Sequence, residues 1–91
     1  MDNFQVVLLG QASKFYKNCS LELAERLNEC FQDLEKNPFF GPNIKLLKTA
    51  KNKKRYRYRV GDYRVIYEIS KEEKKVGVLL ISSRGSAYRD M

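Results

Sequence analysis

The sequence contains no histidine among its 91 residues, which removes both the usual general base near neutral pH and the commonest metal ligand. The two cysteines, Cys19 and Cys30, are too few for a structural zinc site. On a single helix they would stand about 16 Å apart, beyond disulfide reach, so a reduced intracellular chain is the simpler reading. The opening MDNFQVVLLG has no basic segment and only a short apolar run, and no stretch reaches the length of a bilayer span. A soluble, cytoplasmic protein without membrane contact is therefore expected, with no cofactor and no metal. Any chemistry must come from Lys, Arg, Tyr, Asp or Glu.

What is abundant is positive charge, and it is unevenly placed. Residues 1–37 carry four Lys/Arg against six Asp/Glu, whereas residues 38–91 carry fourteen against five. Between Lys45 and Arg64 there are nine basic residues and one acid, Asp62. Solubility does not require one sign to be concentrated in twenty residues, so this segment points to a polyanion or an acidic protein partner. The length suits one domain spanning 1–91, and no internal repeat or low-complexity tract divides it.

The segment FQVVLLG (4–10) is apolar on both faces, which predicts a central, covered strand. A helical hairpin follows. Residues 12–18 form a short first helix and Ser20 caps a second, in which Leu23, Ala24, Leu27, Cys30, Phe31 and Leu34 recur on one face until Asn37-Pro38 stops it. Residues 38–54 hold both prolines and five lysines and read as a long connection. Three strands complete the chain at about 54–60, 63–70 and 75–82.

The sharpest signal is KRYRYRVGDYRVIY (54–67), where Gly61-Asp62 separates two alternating runs as in a two-residue hairpin. Counting outward pairs Val60 with Tyr63, Arg59 with Arg64, Tyr58 with Val65, Arg57 with Ile66, Tyr56 with Tyr67 and Arg55 with Glu68. Period two places Tyr56, Tyr58, Val60, Tyr63, Val65, Tyr67 and Ile69 on a face that packs against the helices, so the tyrosines are mainly structural. The other face collects Arg55, Arg57, Arg59 and Arg64 with Ile66 and Glu68. Arg59 directly opposite Arg64 is destabilising by some tenths of a kcal/mol to about one; a bound phosphate or a partner's carboxylates would offset this, as would full solvation of the guanidiniums. Truncating Arg64 is expected to leave stability unchanged or slightly higher.

YRYRVGDYRVIYEI (56–69), together with ASKFYKN, AERLNECFQDLEKNP, IKLLK and the closing ISSRGSAYR (81–89), resembles the RelE/ParE superfamily of type II toxin-antitoxin toxins over nearly the whole chain. The resemblance implies an α+β fold, a small antiparallel sheet in the order β-α-α-β-β-β with a helical hairpin on one face and a concave basic face on the other. It implies a toxin neutralised by a cognate acidic antitoxin. The RelE branch cleaves mRNA in the ribosomal A site; the ParE branch inhibits DNA gyrase, and fold alone does not choose between them. Arg55 and Arg57 fall where RelE-type nucleases often carry lysines, Arg64 matches the arginine after the hairpin tyrosine, and Arg84 and Tyr88 match the terminal pair. Ser83 stands where some relatives have histidine. By this resemblance Arg57, Arg64, Arg84 and Tyr88 are the catalytic candidates of an mRNA endonuclease, and Lys51, Lys53, Lys54, Arg55, Arg59 and Arg89 the phosphate-binding ones. Arginine stays protonated and cannot act as a base, which leaves Tyr88, Lys53, Lys54 or Glu68 to assist proton transfer. A gyrase inhibitor without nuclease activity is the alternative.

Overall fold

A computed structural model of the protein describes residues 3–47 and 54–83. The chain runs β1 (Gln5–Leu8), α1 (Gly10–Asn18), α2 (Leu21–Lys36), β2 (Ile44–Leu47), β3 (Arg55–Val60), β4 (Tyr63–Ser70) and β5 (Lys75–Ser83). The strands form one sheet in the order β1-β5-β4-β3-β2, in which β1 runs parallel to β5 and the other neighbours are antiparallel. The fold is α+β, with both helices on one face of the sheet.

Helix α2 forms where its sequence signals it. The Ser20 hydroxyl accepts from the Leu23 amide at 3.1 Å and closes the first turn. Leu23, Leu27, Cys30 and Leu34 are buried at the expected spacing. At the other end the Asn37 Oδ1 accepts from the amides of Phe39 and Phe40, turning the chain around Pro38. Both cysteines are free; Cys19 lies in the turn between the helices and only Cys30 lies on α2. Cys30 is core filler, and burial pushes its thiol pKa up.

The hairpin of β3 and β4 has the register counted from its turn, from Val60 opposite Tyr63 to Tyr56 opposite Tyr67. Gly61 takes φ +57°, which the turn demands, and the Arg26 guanidinium of α2 lies against it where a Cβ would stand 2.5 Å from Nη2. Tyr58, Val60, Val65 and Tyr67 join Leu27, Leu34, Val76, Val78 and Ile81 in the core, with Tyr56, Tyr63 and Ile69 packed at its margin. The Tyr67 hydroxyl donates to the Pro38 carbonyl at 2.8 Å, and that of Tyr58 donates to the Asp33 carboxylate at 2.5 Å.

Three features depart from the reading of the sequence. The connection 38–54 contains a strand, β2, so the sheet has five strands instead of four. Ile44–Leu47 lacks alternation of its own and is extended because β3 offers an open row of backbone groups, which it pairs from Ile44 opposite Tyr58 to Leu47 opposite Arg55. The second concerns β1, which is not central but an edge strand, half-buried, and its pairing with β5 makes the sheet mixed and not purely antiparallel. Its two-sided apolarity arises because Val6 and Leu8 pack on the core while Val7 lines a groove on the opposite face. The third is Arg64, which is not solvated: only 6% of its surface is exposed.

One tie had no counterpart in the sequence reading. Beyond Val78, β5 has no β1 partner, and the Gln11 side chain of α1 takes that place. Its Nε2 donates to the Ile81 carbonyl and its Oε1 accepts from the Ile81 amide, both at 2.9 Å. The amide thus acts as a one-residue strand.

Candidate functional site

The sheet face turned away from the helices is built by register. Lys45 of β2 lies opposite Arg57 of β3, which lies opposite Ile66 of β4. Arg59 lies opposite Arg64, which in turn lies opposite Ser82 of β5. Arg55 is joined to Glu68 by an ion pair, Nε to Oε2 at 3.2 Å. Along β3 one guanidinium projects from this face every ~6.8 Å, the repeat of two extended residues.

These cations differ in environment. Arg55 and Arg59 are exposed, Arg57 is partly buried, and Arg64 is buried within the central strand. A guanidinium held by its packing presents its fork with less loss of conformational freedom than one on a free stem. Lys54 is exposed at the entry to β3. Lys45 went unassigned in the sequence reading, because its place opposite Arg57 exists only once β2 is paired. Lys51, Lys53, Arg84, Tyr88 and Arg89 lie outside the described residues.

The proton chemistry available on this face is narrow. The hairpin tyrosines point the other way. Burial, reinforced by the hydrogen bond to Asp33, pushes the Tyr58 hydroxyl up to about 12, and burial raises that of Tyr67 as well. Neither serves as a base near neutrality. Among the outward positions of β3 and β4, Glu68 is the one carboxylate. Among the described residues, no group of three or more Cys, Asp or Glu is placed to hold a metal ion, and no helix is long and apolar enough to cross a membrane. The face can bind and orient anions and stabilise negative charge.

Residues 9–88 match the family model described as ParE toxin of type II toxin-antitoxin system, parDE. The chain belongs to this family of type II toxin-antitoxin toxins, within the RelE/ParE superfamily. A search of curated proteins gives no match. Among solved structures, the fold is similar to the archaeal RelE-RelB complex from Pyrococcus horikoshii OT3, with 28% identity, a TM-score of 0.75, and 91% of this chain and 97% of that chain covered. It is also similar to the toxin-antitoxin complex RelBE2 from Mycobacterium tuberculosis, with 22% identity, a TM-score of 0.74, and coverage of 90% and 99%. A third similar structure is the YoeB/ParE toxin from Agrobacterium tumefaciens, with 16% identity, a TM-score of 0.74, and coverage of 88% and 98%. At their lower identity, the last two show the fold alone.

Proposed function

We propose that this toxin is a ribosome-dependent, metal-independent mRNA endonuclease acting in the A site. The 2′-hydroxyl of the RNA attacks the adjacent phosphate and the 5′-oxygen leaves with a proton. Arg57, Arg64 and Arg84 hold that phosphate and the charge that develops on it, and Tyr88 assists proton transfer or stacks on a base. Lys51, Lys53, Lys54, Arg55, Arg59 and Arg89 hold neighbouring phosphates. The observation that carries this reading is the inside-out division of the hairpin: its tyrosines are committed to the core, while Arg55, Arg57 and Arg59 repeat along β3 on the face turned away from the helices, with Arg64 buried beside them on β4. Positioning by the ribosome explains how so few proton-transfer groups suffice.

A cognate acidic antitoxin covers the arginine face and silences it. The similar P. horikoshii structure is a RelE-RelB complex, and the charge of the face suits an acidic partner. A second reading, inhibition of DNA gyrase, is favoured by the family model, which is that of ParE toxins. Inducing the toxin in cells while following mRNA cleavage and plasmid supercoiling together tests the two. Cleavage with unchanged supercoiling supports the nuclease; the reverse supports the gyrase reading.

A further inference from the structure

On the arginine face, where β4, β5 and β1 run side by side, Glu68, Gly77 and Val7 stand in one row across the three strands. Above this row is a groove of about 350 Å³ that Leu9, Ile69, Ser70, Lys75 and a second carboxylate, Glu73, also line, at the small end of the range of roughly 300–1,000 Å³ seen for small-molecule sites. Gly77 is not there for backbone reasons, since among the described residues the glycines with positive φ are Gly10 and Gly61. Glycine weakens a strand interior and often marks a close approach by a ligand. A Cβ at this position would meet only Leu9 Cδ1, at 3.2 Å, among the described residues. The missing side chain leaves room for Leu9, which lies over this part of the groove floor.

Glu68 sits where this groove meets the arginine row. Arg55 engages its Oε2, and among the described residues Oε1 has no hydrogen bond. On a face that binds a polyanion, a carboxylate repels phosphate. Besides holding Arg55, it can accept from the donors that RNA offers, its base amines and imino groups and its 2′-hydroxyls.

We propose that the groove takes one RNA base carrying an exocyclic amine, with Val7 and Leu9 against the base and Glu68 accepting from the amine. The base adjoins the phosphates held by Arg55 and Arg57. Cytosine is favoured over uracil at this contact, because at position 4 of the ring cytosine presents an amine donor and uracil a carbonyl oxygen. The inference deepens the RNA-cleaving reading and rests on it.

The test is binding of the purified full-length toxin to the ribo-oligonucleotides r(C)6 and r(U)6, which have equal charge, followed by fluorescence anisotropy at two salt concentrations. The parent is expected to bind r(C)6 roughly tenfold more tightly. Glu68→Gln, whose amide both donates and accepts, brings the two affinities together and leaves r(U)6 binding equal or stronger, because Arg55 is released. Gly77→Val fills the groove and also removes the preference, while binding stays salt-dependent; if that variant fails to fold, Glu68→Gln decides. Equal affinities in the parent, or a preference unchanged in Glu68→Gln, overturn the base site alone. Absence of binding to either oligonucleotide overturns the base site, and the RNA-cleaving reading then stands or falls on cleavage of ribosome-bound mRNA.

Discussion

Arg59 and Arg64 face one another across β3 and β4, yet Arg59 lies exposed while Arg64 keeps only 6% of its surface in contact with solvent. The pair is therefore not two equal charges repelling in water. Arg64→Ala empties packed space along its aliphatic stem and should lower stability by about 1–3 kcal/mol, roughly 5–20 °C in Tm for a chain of this size. Arg59→Ala should change it by no more than about 0.5 kcal/mol. Thermal melts of the two variants check this; equal effects would contradict the difference in burial.

Tyr58 should couple stability to alkaline pH. In the fold its hydroxyl is pushed up to about 12, above the ordinary tyrosine value that holds in the unfolded chain. Its contribution is complete below about pH 10 and is lost as pH rises toward 12, because the unfolded tyrosinate forms first. Tyr58→Phe removes the hydrogen bond to Asp33 and should flatten this part of the stability profile. Denaturant midpoints between pH 8 and 11.5 measure it, and an unchanged slope would refute the assignment.

Gln11→Ala deletes two hydrogen bonds to Ile81 and should cost about 1–3 kcal/mol. Because the tie holds β5 at its exit toward Arg84, hydrogen exchange should accelerate at Ile81 more than at Val76. Uniform acceleration would show that Gln11 supports the whole sheet instead.

The antitoxin complex should weaken as salt rises, since an acidic segment on an arginine row is attracted across water. Isothermal titration at 50 and 500 mM NaCl checks this. Affinity indifferent to salt would place the contact away from this face.

The hairpin was legible because Gly61-Asp62 sets its register, and one register sorts every later residue into two faces. Helix α2 was legible from its cap and its apolar spacing. Strand β2 was not, since Ile44–Leu47 is extended by the edge of β3 and not by its own pattern. Apolar residues on both faces of β1 read alike whether the far side meets a layer of helices or a groove. The arginines were legible as a set. The burial of Arg64 and the place of Lys45 were not, because both depend on strands brought alongside from elsewhere in the chain.

The central claim is that the arginine row stabilises a phosphoryl transition state. The most direct measurement is the single-turnover rate of mRNA cleavage on programmed ribosomes, for the parent and for Arg57→Ala shown by its melt to be folded. The account predicts cleavage by the parent and a loss on the order of 10²–10³ in the variant, the scale of losing one preorganised donor. Full cleavage by folded Arg57→Ala, or no cleavage by a parent that inhibits gyrase, would contradict it.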